Sequence, residues 1–287
     1  MSTEQNWQTW FEANQKLWDE WATVHMRGSK LYPIEAFLAG EAGPASKLPD
    51  DIGPVAGRSI LHLQCHFGMD SLVWARKGAR VTGIDFSETA IQGARALNER
   101  LGLDVEFVRA NVYDLPDVLQ GQYDVVLTYY GVLPWLPDLD RWAKIAAAYL
   151  KPGGFLYLAD MHPFTDMVEG SDPAHPDAFL GYSYFSDGAP QRNDSDGGTY
   201  ANPDAQTTHR INYQWKHRLG EIVDAVARAG LVVQYLHEFP YTFCDLYDWP
   251  QGGVEGRMAQ DADGWWRLTR VGDFLPLMFS LKACKRP

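Results

Sequence analysis

The 287-residue sequence predicts an α/β fold, with a mostly parallel sheet between two layers of helices. Two observations carry this. Short apolar runs without helical period recur at 59–63 (SILHL), 80–84 (RVTGI), 105–108 (VEFV), 123–129 (YDVVLTY) and 155–159 (FLYLA), as expected of strands buried on both faces. Residues 58–91 then read as strand, tight loop, helix, strand and acidic residue, the order of a parallel crossover unit.

Taken in order, residues 7–24 are helical, because Trp7, Trp10, Phe11, Asn14, Leu17, Trp18 and Trp21 recur at three and four. An amphipathic helix packed on the domain accounts for this pattern, and a lid over a ligand is compatible with it. Residues 40–57, rich in Gly and Pro, form a connector. A strand at 59–63 runs into the turn Gln64-Cys65-His66-Phe67-Gly68, and a helix at 71–75 stops at Gly78. The strand at 80–84 is closed by Asp85, and Ser87 is placed to cap a helix over 89–101. After the strand at 123–129, Asp138 starts a helix running through residue 150, and Lys151-Pro152-Gly153-Gly154 turns into the strand at 155–159. Residues 163–210 break the rhythm with SDGAP, NDSDGG and ANPD clusters around aromatic runs, the turn chemistry of an inserted antiparallel cap. A helix at 217–229, a strand at 231–240, a long insertion at 241–273 and a last strand at 274–283 complete the chain.

The turn at 64–68 meets a helix N-terminus, which attracts anions. Asp85 stands 21 residues beyond Gln64, the spacing at which a carboxylate accepts both hydroxyls of a ribose. Gln64 and His66 occupy positions where a diphosphate-binding turn carries glycine. A β-carbon there obstructs close approach of a dinucleotide, so the pattern favours a nucleoside ligand without a diphosphate over NAD or FAD.

LHLQCHFGMDSL followed by VTGIDFS resembles the first two motifs of the class I S-adenosylmethionine-dependent methyltransferases, usually V-L-D-x-G-C-G-x-G and G-x-D-x-S. Cys65 and Gly68 match; His62 replaces an acidic residue, and Gln64 and His66 replace glycines. RANVYDLP is similar to the family's x-G-D-A-x-D-L-P, with Asn111 for the acidic residue, and LKPGG is a family turn. The resemblance implies a Rossmann-like seven-stranded, mostly parallel sheet in the order 3-2-1-4-5-7-6, with an N-terminal helical lid and an inserted antiparallel β cap. It implies S-adenosyl-L-methionine as cofactor, held by Gln64, Cys65, His66, Gly68, Asp85, Phe86, Ser87, Asn111, Val112 and Tyr129. It also places His25, Tyr32 and Phe37 near the amino-acid end of that cofactor. The corresponding division is 1–57 for lid and connector, 58–162 for the cofactor-binding core, 163–216 for a substrate cap, and 217–287 for the rest of the core with a long loop at 241–273.

The expected activity is methyl transfer to nitrogen or oxygen of a small aromatic or heterocyclic metabolite. A binding module without catalysis and, behind it, an NAD(P)-dependent oxidoreductase are the alternatives. His162, at the end of the 155–159 strand, is the first candidate for general base or substrate orienter, with Tyr130 beside it. His209 and His217 follow, and Tyr182, Tyr184, Tyr213 and Trp215 are expected to face the substrate from the cap. A net charge of −12 without a basic run argues against nucleic acid. No apolar stretch approaches a membrane span and the N-terminus has no signal-like apolar core, so the chain reads as cytoplasmic, monomer or homodimer. Cys65, Cys244 and Cys284 lack metal-ligand spacing and read as reduced packing residues, with no metal expected.

Overall fold

In the computed structural model, which describes residues 3–41, 52–167, 183–195, 197–247 and 257–287, the predicted apolar runs form one seven-stranded sheet. Its first five strands are parallel: β1 (Ser59–Leu63), β2 (Arg80–Asp85), β3 (Glu106–Arg109), β4 (Tyr123–Thr128) and β5 (Leu150–Met161). With β8 (Leu231–Phe239) and β11 (Met278–Lys285), the spatial order is β3-β2-β1-β4-β5-β11-β8, and β11 runs antiparallel to both its neighbours. The order expected from the resemblance holds. The chain reverses direction across the sheet between β1 and β4, which opens a crevice at the carboxyl ends of the strands.

Alternate strand residues serve opposite layers, as the period of two requires. Leu61, Leu63, Val126, Leu156 and Leu158 pack against Trp142 of α6 (Leu139–Ala148) and against Ile222 and Val226 of α7 (Leu219–Arg228). Ile60, Val125, Leu127 and Tyr157 face the other layer, where Phe37 of α2 (Ile34–Leu38), Leu72 of α3 (Met69–Arg76) and Ile91 of α4 (Glu88–Leu101) are buried. Ser87 caps α4 as expected, its Oγ accepting from Ala90 N at 3.0 Å. A short helix α5 (Leu115–Val118) precedes β4.

Three local expectations need correction. The helix expected to run through residue 150 ends at Ala148, and β5 already begins at Leu150. The Lys-Pro-Gly-Gly segment is therefore a bulge inside the strand: Tyr123 pairs with Leu150, and Val125 next pairs with Phe155. The insertion at 241–273 is not a bare loop, because β9 (Met258–Gln260) and β10 (Trp266–Leu268) pair within it. The last strand starts at Met278 rather than 274; Pro276 has no N–H for the ladder, and Gly272–Phe274 forms a 3₁₀ turn instead. The cap contains β6 (Gln191–Asp194) paired antiparallel with β7 (Ile211–Gln214).

The N-terminal helix α1 (Thr3–His25) bridges cap and core. Asn14, 1% exposed, donates Nδ2 to Tyr213 O and accepts Tyr213 N at Oδ1, both at 2.8 Å, so a side-chain amide satisfies the backbone of β7. Glu20 accepts from Thr208 N and His209 N. From the same helix, Asp19 Oδ1 accepts from Ser87 Oγ and Thr89 N, and Gln15 donates to Phe86 O at 2.8 Å.

At the end of β5, Asp160 is 2% exposed, and its carboxylate accepts from Gly131, Val132, Leu133 and Met161 N–H groups at 2.5–3.1 Å. This carboxylate holds the loop after β4 in place. Asp160→Ala leaves those buried donors unpaired and is expected to destabilise the fold by about 2–4 kcal/mol. Denaturant unfolding of the two proteins checks this, and an unchanged midpoint would remove the assigned role.

Candidate functional site

The carboxyl ends of β1, β2 and β4, the turn after β1 and helix α1 enclose a cavity of about 310 Å³. Its floor is the 64–68 turn. Gln64 and His66 both take left-handed backbone, at φ 55 and 52, which costs a residue with a β-carbon about 1 kcal/mol each. The chain thus keeps the glycine geometry of the turn while placing two polar side chains at the cavity. Gly68 has no such freedom: at φ +78, a β-carbon would meet the Phe107 ring at 2.6 Å and Ala94 at 2.8 Å.

Asp85 lines the cavity, 8% exposed. Its Oδ2 accepts from His66 N and its Oδ1 from Ser87 N, each at 2.9 Å, which leaves lone pairs on both oxygens for two further donors. Burial pushes its pKa up to about 6, against the lowering effect of those N–H groups. Gln64 donates Nε2 to Val132 O at 3.3 Å, while its buried Oε1 has no protein partner. Asn111 lines the cavity and its Oδ1 accepts from Tyr113 N at 3.1 Å, so the Asx-turn and the ligand-facing position coexist. Cys65, Phe86, Val112, Tyr129 and Tyr130 also line it. The Tyr129 hydroxyl accepts from Trp74 Nε1 at 2.8 Å, and its ring stacks on His62 at 4.8 Å, so its contribution to the cavity is a ring.

His25 Nδ1 lies 2.9 Å from His66 Nε2, joining α1 to the turn. Burial drives the His25 pKa down to about 3; the His66 pKa is also well below its ordinary value, by burial and by the neighbouring His25. Tyr32 lines the cavity and shares a 2.6 Å hydrogen bond with the Tyr200 hydroxyl. Phe37, by contrast, is buried in the core beneath the Arg76 guanidinium.

Several expected residues lie elsewhere. His162 is not among the cavity-lining residues: its Nε2 meets Glu238 at 2.9 Å, its Nδ1 accepts from Phe164 N, and its pKa is lowered by burial. The neighbouring Met161 points the strand end into the cavity instead, as the alternation of β5 requires. Ser87 is fully buried and is engaged by Ala90 and Asp19, so it caps a helix rather than facing a ligand. Tyr184 accepts from Leu219 N at the start of α7. Tyr213 and Trp215 pack on Trp10 at ring distances of 5.9 and 5.7 Å. His217 bonds Leu136 O, and His209 gives its backbone to Glu20. Tyr182 lies outside the described residues. The walls missed in the sequence are Tyr200 and Gln214 from the cap side, Phe243 and Asp245 from the second insertion, and Trp18, Trp21 and Trp135. Only the aromatic content of these segments hinted at them.

Residues 61–156 match the model of a methyltransferase domain family. A ubiquinone biosynthesis O-methyltransferase of Bordetella avium is 34% identical over 110 residues, 38% of this chain and 45% of the relative. One from Erwinia tasmaniensis is 33% identical over 106 residues, 37% and 43% of the two chains. The match thus spans less than half of these curated relatives. In structure, the chain is similar to a candidate S-adenosylmethionine-dependent methyltransferase from Listeria monocytogenes, with TM-score 0.57 and 20% identity over 87% of this chain and 98% of that one. It is also similar to geranyl diphosphate C-methyltransferase from Streptomyces coelicolor, with TM-score 0.52 and 15% identity over 84% and 74%. Residues 61–156 thus form a methyltransferase domain, and the fold around them is the one shared by S-adenosylmethionine-dependent methyltransferases, whose cofactor is S-adenosylmethionine.

The cavity fits that cofactor: a carboxylate with two open acceptor positions, a buried amide oxygen without partner, and an apolar wall beside Asn111. Protonation of Asp85 fills one of its acceptor positions, so affinity for a ribose diol is expected to fall as pH drops through about 6. Calorimetric titration with S-adenosylhomocysteine between pH 5 and 8 checks this, and Asp85→Asn should lose the pH dependence.

Proposed function

We propose that the protein transfers a methyl group from S-adenosylmethionine to nitrogen or oxygen of a small aromatic or heterocyclic metabolite. The observation that carries the reading is Asp85, held in the cavity by His66 N and Ser87 N with acceptor capacity to spare. The cofactor supplies an activated methyl on a sulfonium. Asp85 holds the ribose hydroxyls, Asn111 and the Val112 backbone meet the adenine, and the 64–68 turn with Gln64 holds the amino-acid end.

Tyr130 contributes to the acceptor wall, its ring stacked on Phe243 at 4.6 Å. Trp18, Trp21, Trp135 and Tyr200 surround a flat apolar guest and exclude water. Methyl transfer to a good nucleophile needs chiefly alignment, and these walls supply it. His162 supports the end of β5 through Glu238 and Phe164 N rather than acting on substrate.

Calorimetry with S-adenosylmethionine and NADH, followed by assay of S-adenosylhomocysteine release across a metabolite panel, tests the reading. Binding of NADH in preference to S-adenosylmethionine, or cofactor binding without turnover of any panel member, would count against it. Asp85→Ala is expected to weaken S-adenosylmethionine by about 1.5–3 kcal/mol while the fold persists. With an accepted substrate in hand, His162→Ala should leave kcat within about threefold, because loss of a general base costs about 10²–10⁴-fold. A drop of that larger size would restore His162 to the chemistry.

A further inference from the structure

Among the described residues, none of the side chains lining the cavity is Lys or Arg, and its carboxylates are Asp70, Asp85 and Asp245. Aromatic rings make up much of its wall. Trp18 meets Trp135 edge-on at 5.2 Å, Trp21 meets Tyr200 at 5.6 Å, and Tyr130 stacks on Phe243. The Trp135 ring is fixed by its Nε1 donating to Gly131 O at 2.8 Å.

This composition discriminates by charge. An acceptor bearing a carboxylate, phosphate or phenolate would give up its hydration to a space that offers the Asp245 carboxylate and ring faces, with no Lys or Arg among its described lining residues to pair it. Ring faces and carboxylates both attract a cation. We propose that the acceptor is an uncharged amine or heteroaromatic nitrogen, methylated to a cationic product, and that anionic acceptors are refused. This rests on the methyl-transfer reading and chooses between its two acceptor atoms.

The chemistry balances without a base. The nitrogen lone pair forms the new N–C bond, the S–C bond breaks with its electron pair left on sulfur, and the positive charge passes from sulfur to nitrogen. No proton leaves in that step. The cation that the cavity attracts is present before and after. With a hydroxyl acceptor the cation disappears and a proton must be taken up, while burial disfavours the protonated form of His62 and His66, the histidines lining the cavity.

The test uses the full chain saturated with S-adenosylhomocysteine and three probes that share one ring: benzyltrimethylammonium, benzyl alcohol and benzoate. Calorimetry is expected to rank the cation about tenfold above the alcohol, with benzoate weakest. Asp245→Asn and, separately, Trp135→Leu should each narrow the gap between cation and alcohol. Equal affinities, absence of binding by all three included, or a preference for benzoate would overturn the inference. So would methyl transfer confined to hydroxyl members of a metabolite panel. Failure of S-adenosylhomocysteine itself to bind overturns instead the methyl-transfer reading beneath it.

Discussion

Two buried carboxylates at the carboxyl edge of the sheet set the shape of the cavity. Asp85 closes β2 and ties the turn after β1 to the start of α4, through His66 N and Ser87 N. Asp160 closes β5 and gathers four backbone N–H groups, three of them from the loop after β4. Backbone donors in these loops cannot reach water, and each carboxylate accepts several at once. The loops on either side of the β1–β4 reversal are therefore fixed by side chains of the strands, and the open space between them is the cavity. Asp85 has acceptor capacity left for a ligand, whereas Asp160 spends its own on the protein.

Helix α1 closes that space with polar side chains directed at backbone. Asn14 and Glu20 satisfy N–H groups at and before β7, and Asp19 and Gln15 satisfy the β2–α4 connection. Its Trp18 and Trp21 then line the cavity. The His25–His66 contact joins the helix to the cofactor turn at a position where a non-glycine residue tolerates left-handed backbone. Such strain persists where the surroundings over-determine it, and here the surroundings are the ring of His25, Tyr32 and Phe67 about His66.

Much of the core was legible from residue pattern alone. Apolar runs without helical period, separated by amphipathic segments and capped by Ser87 and Asp138, have few foldings other than an α/β sheet. Asp85, the 64–68 turn, Asn111 and Tyr130 line the cavity because their places follow strand ends, and a strand end is visible in one dimension. The Lys151–Gly154 turn was legible, with Gly153 at φ 76, but only the partner strand shows that it is looped out within β5, between the Leu150 and Phe155 pairings.

The acceptor side was not legible. Whether a residue at a strand end faces the cavity is settled by the parity of the strand and by what competes for its polar atoms. His162 and Met161 are adjacent, and the sheet turned Met161 inward while Glu238, 76 residues away, engaged His162. Tyr184, Tyr213 and Trp215 are as aromatic as Tyr200, Trp135 and Phe243, but the first group is taken up by α7 and α1 and the second by the cavity. The sequence by itself determined the sheet, the 64–68 turn at the cavity floor and the acidic residue that ties it, because local period, caps and spacing encode them. Only the tertiary structure decided which aromatic and titratable side chains share the acceptor space, because that depends on long-range packing of two insertions and a helix from three parts of the chain.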